Sequence, residues 1–135
     1  MAKHTILLVD DDEAMRLALS RALERGGYQV VQASNGKSAC ALLEKQPIDL
    51  MITDIIMPEM EGLALIHSAR ERAKDLPIIA ISGGLQGQAA GFLGMAELSG
   101  ATVAFAKPVE LGELLVAVRK LLMGRPDRVP GAAQT

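Results

Sequence analysis

The sequence predicts an α/β fold, a doubly wound parallel sheet of five strands with helices on both faces. Three observations predict it. Apolar blocks of strand length alternate with stretches of helical period, giving five β-α units in a row with short connections. The first block, Thr5 to Val9, is continuous and β-branched, the pattern of a strand buried on both faces. Polar residues sit at one end of almost every block, where open α/β sheets form their sites. With right-handed crossovers, the expected strand order is 2-1-3-4-5.

The elements follow in order. After the first strand, Met15, Ala18, Leu19, Ala22 and Leu23 recur at helical spacing between Glu13 and Arg25, while Arg16, Arg21 and Arg25 lie mostly off that stripe. Gly26-Gly27 ends this helix. A short strand spans Tyr28 to Ala33, and a helix follows near Lys37 to Lys45. Ile48 to Thr53 is the third strand and Leu63 to Ala73 the third helix. Leu76 to Ile81 is the fourth strand, followed by a weak helix near Phe92 to Leu98. Thr102 to Ala106 is the fifth strand and Leu111 to Met123 the last helix. From Gly124 onward there is no periodicity, so the expectation is one domain over 4–123 and a disordered tail over 124–135.

Composition narrows the function classes. The chain has 135 residues and only three aromatics (Tyr28, Phe92, Phe105), which argues against platforms that stack nucleic-acid bases. Fourteen basic against sixteen acidic side chains give a net charge of −2, so there is no electrostatic footprint for a nucleic acid or an acidic membrane. Cys40 is the single cysteine, which excludes an intrachain disulfide framework and a multi-cysteine zinc site and fits a reducing compartment. The uncharged run Leu76–Ala96 contains Pro77 and several glycines and reads as a strand, a loop and a helix start rather than a membrane span. A cytoplasmic location is the expectation.

The chemistry collects at strand ends. Asp10, Asp11 and Asp12 follow the first strand, Asp54 the third, Ser82 the fourth and Lys107 the fifth. Strands one and three are neighbours where the strand order reverses, so Asp10, Asp11 and Asp54 should converge, with Ser82 one strand away and Lys107 reaching across from two. Clustered carboxylates repel, and a hard divalent cation such as Mg²⁺ removes that conflict. The group then suits phosphoryl transfer, in which a carboxylate attacks phosphorus, a lysine offsets oxygen charge and a hydroxyl donates a hydrogen bond. Asp12 and Glu13 read more simply as the start of helix one, Asp12 as its cap. Cys40 and the seven methionines read as packing residues, and His4 and His67 show no ligand spacing.

Four motifs in order, Ile6-Leu-Leu-Val-Asp-Asp11, Asp54-Ile-Ile-Met-Pro-Glu-Met-Glu-Gly62, the strand-end Ser82 and Lys107-Pro108, resemble the receiver domain of two-component response regulators, over residues 4 to about 123. The resemblance implies a flavodoxin-like (βα)5 sandwich. It implies that Asp54 accepts a phosphoryl group from a phosphohistidine on a sensor histidine kinase or histidine phosphotransfer protein. Asp11 would be the main Mg²⁺ carboxylate besides Asp54, with Asp10 assisting and the Ile56 backbone carbonyl as a further ligand. Ser82 and Lys107 would contact the phosphoryl group, Lys107–Pro108 would be a cis peptide, and Gly62 matches the glycine at the head of helix three. The implied protein is a stand-alone, monomeric or weakly dimeric phospho-acceptor. It would signal by binding a downstream effector protein, assisting its own phosphorylation and dephosphorylation without being a turnover enzyme. The alternative is an Mg²⁺-dependent aspartyl-nucleophile phosphohydrolase, which commonly has a second acid two residues beyond the nucleophile, where this chain has Ile56. A flavodoxin-like carrier would want a Ser/Thr/Gly-rich loop where this chain has Asp-Asp-Asp-Glu.

Two departures from the family pattern stand out. The usual aromatic three residues before the lysine is Ala104, and strand alternation should turn Phe105 to the other face. The stretch Gly83–Ala106 holds six of the 13 glycines and a single charge, Glu97, which predicts a short, easily remodelled helix and an output carried by ordering of the Gly-rich loop and that helix, over Gly83–Leu98.

Overall fold

The apolar blocks pair side by side into one parallel sheet of order β2-β1-β3-β4-β5, as expected. In the computed structural model, which describes residues 3–55, 61–82 and 100–125, the elements are β1 (Thr5–Val9), α1 (Glu13–Arg25), β2 (Gln29–Ala33), α2 (Gly36–Lys45), β3 (Leu50–Asp54), α3 (Glu61–Arg72), β4 (Ile78–Ser82), β5 (Val103–Ala106) and α4 (Leu111–Leu122). The weak helix near 92–98 and residues 126–135 of the expected tail lie outside the described residues.

Alternation along the strands divides the core in two. Leu7, Val9, Met51, Ile78 and Ala80 face one side, where Ala39 of α2 and Leu65, Ile66 and Ala69 of α3 cover them. Ile6, Leu8, Leu50, Ile52, Ile79 and Ile81 face the other, under Leu19 and Leu23 of α1 and Leu114 and Val118 of α4. Covering both faces explains why β3 and β4 are buried at every residue, while the edge strands β2 and β5 are only partly so. Each fully buried Leu or Ile contributes about 1.5–3 kcal/mol relative to exposure, so this double-sided aliphatic core replaces the missing aromatics. Ala104 packs on the α2/α3 side and Phe105 on the α1/α4 side, as alternation predicts.

Local chemistry sets the ends of α1. Asp12 caps it by accepting the Met15 N–H at 3.2 Å. At its other end Gly27 has φ +97°, its N–H donates to the Glu24 carbonyl at 3.0 Å, and the Tyr28 N–H donates to the Leu23 carbonyl at 3.2 Å. This is a Schellman ending, and it needs a residue that tolerates the left-handed region.

The third and fourth strands begin two residues later than the apolar pattern suggests, at Leu50 and Ile78, and end one later. The reason is visible at both starts. The Asp49 carboxylate accepts the Thr5 N–H at 2.7 Å, so a side chain closes the β1 entry. Leu76 still donates to the Ala73 carbonyl in a turn, and Pro77 has no N–H to give. The shift makes Asp54 and Ser82 the last residues of their strands.

Candidate functional site

The site grows from the reversal of strand order between β1 and β3. Val9 is in register with Thr53, so Asp10 and Asp54 come next on adjacent strands. Asp10 extends the ladder to β2, its N–H donating to the Ala33 carbonyl at 3.1 Å. Its Oδ1 accepts the Asp12 N–H at 2.9 Å, which leaves Oδ2 directed at the cluster. Asp10 and Asp54 are buried (3% and 5% exposed), whereas Asp11 is open to solvent. One carboxylate oxygen from each of Asp10, Asp11 and Asp54 lies within 4.8 Å of the others.

Lys107 closes the group from β5. Its backbone N–H donates to the Ser82 carbonyl at 2.8 Å, and the following peptide bond to Pro108 is cis, as the resemblance implied. The ammonium reaches across β4 to donate to Asp54 Oδ2 at 3.0 Å and stands 3.9 Å from Asp10 Oδ2. Ser82 is fully buried at the end of β4, between the strands that carry Asp54 and Lys107. Ile56 lies outside the described residues.

Electrostatics follow from this packing. Burial pushes the Asp10 carboxyl above its ordinary value, and the neighbouring charges of Asp54 and Asp11 add to that; the Asp12 N–H and Lys107 only partly oppose them. Burial alone would lower the Lys107 ammonium, but the hydrogen bond and charge of Asp54, with Asp10 and Asp12 behind, hold it above its ordinary value. Lys107 stands against two of the three carboxylates, Asp54 and Asp10, and the donor set of all three is entirely hard oxygen. That suits a divalent cation such as Mg²⁺, which binds through one or two carboxylates plus water and phosphate oxygens.

Two further residues shape the site. A Cβ at Gly62, near the start of α3, would meet the Asp54 carbonyl, and would lie 2.5 Å from Ile55 Cα and 2.6 Å from Ile55 O. Only glycine lets α3 approach the end of β3 so closely. Arg16, which the sequence placed only off the apolar stripe of α1, donates Nη1 to the Asp10 carbonyl at 2.7 Å. Asp12 serves as helix cap, as expected, and Oδ1 of that residue is engaged by Met15. A cleft of about 630 Å³ lined by Glu44, Ile48, Arg72, Lys74 and Leu76 lies beside the amino ends of β3 and β4, at the far end of the sheet from these acids.

Fold and site together define a flavodoxin-like α/β module with an acidic, lysine-closed pocket at its switch point. The family model "Response regulator receiver domain" matches residues 6–119, and the chain belongs to that family, the receiver module of two-component signalling. It is 47% identical over 78 residues to the "Response regulator receiver protein CpdR" of Brucella abortus (strain 2308), covering 58% of this chain and 65% of that protein. It is 36% identical over 133 residues to the "DNA-binding dual master transcriptional regulator RpaA" of Synechocystis, covering 96% of this chain and 53% of that one. The chain thus spans less than two thirds of the length of either relative. Among solved structures, a putative response regulator from Chloroflexus aurantiacus superposes with a TM-score of 0.81 at 32% identity, covering 90% of this chain and 98% of that one. Among the described residues, no helix is long and apolar enough to cross a membrane.

Proposed function

We propose that this receiver accepts a phosphoryl group from a phosphohistidine of a sensor histidine kinase or histidine phosphotransfer protein onto Asp54, with Mg²⁺, in the cytoplasm. It then signals by phosphorylation-dependent binding to an effector protein. The observation that carries this reading is the buried Asp54 carboxylate, within 4.8 Å of the Asp10 and Asp11 oxygens and 3.0 Å from the Lys107 ammonium.

In this reading an Asp54 oxygen attacks phosphorus, the P–N bond to the donor imidazole breaks, and the imidazole leaves with the bonding electron pair. Asp10, Asp11 and Asp54, with the Ile56 carbonyl, would hold the cation, which when bound offsets charge on the carboxylates and the phosphoryl oxygens. Lys107 remains protonated and exchanges its Asp54 contact for a phosphoryl oxygen, while the Ser82 hydroxyl donates to another. When water later attacks the phosphorus, the P–O bond to Asp54 breaks, the carboxylate is regenerated and inorganic phosphate leaves, with the same residues contacting its oxygens. The module therefore assists its own phosphorylation and dephosphorylation.

Incubation with a small phosphodonor and Mg²⁺, followed by intact mass measurement, tests the reading. Wild type should gain one phosphate-sized increment, and Asp54→Asn should not. A gain that persists in Asp54→Asn would overturn the assignment of the acceptor.

A further inference from the structure

Arg16 occupies a place that packing alone does not explain. It lies one turn into α1, yet its side chain turns back along the helix to the end of β1. Nη1 donates to the Asp10 carbonyl at 2.7 Å, a short charge-assisted bond. Nε donates to Gln32 Oε1 on β2 at 3.1 Å, and Gln32 Nε2 in turn donates to the buried Ser20 hydroxyl at 3.3 Å. The chain Ser20–Gln32–Arg16 therefore ends on the peptide group joining Asp10 to Asp11. With the Asp10 N–H on Ala33 and Oδ1 on the Asp12 N–H, Arg16 supplies the hold on the one backbone atom of Asp10 that neither bond restrains.

We propose that Arg16 is a positioning residue for the cation site, orienting the Asp10–Asp11 peptide so that both carboxylates face Asp54 together. This rests on the reading of Asp10 and Asp11 as cation ligands. Arg16 touches neither carboxylate cluster oxygen nor phosphoryl group; it acts through the backbone that carries them. Metal sites depend on such outer contacts, whose loss typically weakens affinity about 10–100-fold.

The sign of the effect separates positioning from simple charge. Deleting a cation beside an acidic cluster would, by Coulomb's law alone, tighten binding of a divalent ion. Loss of a positioning contact weakens it. Arg16→Ala is therefore expected to raise the Mg²⁺ dissociation constant about 10-fold, at the lower end of that range because Asp10 keeps its other two contacts. Arg16→Lys should recover part of this, since an ammonium can reach the carbonyl but cannot match the planar fork that also engages Gln32. Gln32→Ala should weaken binding less, and should add little in the Arg16→Ala background because the two act in series.

The experiment is a Mg²⁺ titration of wild type, the three single variants and the Arg16→Ala/Gln32→Ala double variant by calorimetry, well below each protein's unfolding midpoint, with amide NMR shifts followed in parallel. Metal-free Arg16→Ala should show shifts at Asp10–Asp12 while β4 and α4 signals stay in place. Unchanged or tighter Mg²⁺ binding by folded Arg16→Ala overturns the positioning role, and additive losses in the double variant overturn the Gln32 link. A wild type that binds no Mg²⁺ overturns the cation-site reading itself, and this inference with it.

Discussion

Gly62→Ala adds a single methyl group at the point where α3 abuts the end of β3. The added carbon would meet the Asp54 carbonyl oxygen and lie 2.5 Å from Ile55 Cα and 2.6 Å from Ile55 O, all backbone atoms. Carbon atoms rest about 3.5–4.0 Å apart, so α3 and the β3 exit must separate by roughly 1 Å. No flexible side chain can absorb that movement. Overpacking of this kind costs about 1–3 kcal/mol. Alanine's advantage over glycine within a helix is about 1 kcal/mol in the opposite direction. Among the described residues the glycines at positive φ are Gly27, Gly100 and Gly124, and Gly62 is not one of them, so backbone strain does not enter. Contacts of 2.5–2.6 Å to backbone atoms place the overpacking at the upper end of its range, so the net expectation is a loss of about 2 kcal/mol, a sizeable part of a typical 5–15 kcal/mol. Phosphorylation should also slow, because the displaced residues include Asp54, the proposed acceptor. Urea unfolding in a chelator measures the first effect, and the rate of mass gain from a small phosphodonor measures the second. A Gly62→Ala protein as stable as wild type, with an unchanged rate, would show that helix propensity governs this position and that the close approach is not needed.

Three further outcomes follow from the same geometry. Asp12→Ala should lose about 1 kcal/mol of stability, the usual worth of an N-cap, with Mg²⁺ affinity nearly unchanged; a marked loss of Mg²⁺ binding in a titration would instead make Asp12 a ligand. Asp10→Asn should make the metal-free protein more stable at neutral pH, because burial raises the carboxyl and its charged form costs the folded state. The folded state holds the Asp10 proton to higher pH than the unfolded chain does, so this contribution declines as pH rises through the window between the ordinary and the raised pKa, by about 1.4 kcal/mol per pKa unit. Urea midpoints against pH should show the gap between variant and wild type closing on acidification; a gap that widens contradicts it. Lys107→Ala should bind Mg²⁺ more tightly, because the ammonium 3.0 Å from Asp54 Oδ2 repels an incoming cation, and should phosphorylate more slowly; calorimetry showing weaker Mg²⁺ binding would refute the competition.

Much of this was legible in the residues, for identifiable reasons. β1 and α1 stand where the pattern put them, because a continuous β-branched block and a periodic stripe are each closed by a strong local signal, Asp12 at one end of the helix and Gly26-Gly27 at the other. The starts of β3 and β4 were less legible. Ile48 and Leu76 are apolar and buried, as strand residues would be, yet the Thr5 N–H goes to the Asp49 carboxylate, Leu76 is held in a turn by the Ala73 carbonyl, and Pro77 has no N–H to give. Asp10, Asp11, Asp54 and Lys107 could be grouped because topology alone brings the carboxyl ends of β1, β3 and β5 to one edge. The role of Arg16 could not, since it depends on a side chain turning back by a helical turn, and helical periodicity records only which face a residue leaves. Gly62 was noticed through resemblance, but its reason, a carbonyl where a Cβ would stand, exists only in three dimensions.

The central claim is that Asp54 carries the phosphoryl group. Borohydride reduces an acyl phosphate of aspartate to homoserine, which marks the modified position permanently. After treatment with a small phosphodonor and Mg²⁺, reduction and peptide sequencing by tandem mass spectrometry should read homoserine at position 54, and aspartate there when the donor or Mg²⁺ is omitted. Homoserine at position 10 or 11, with aspartate intact at 54, would contradict it.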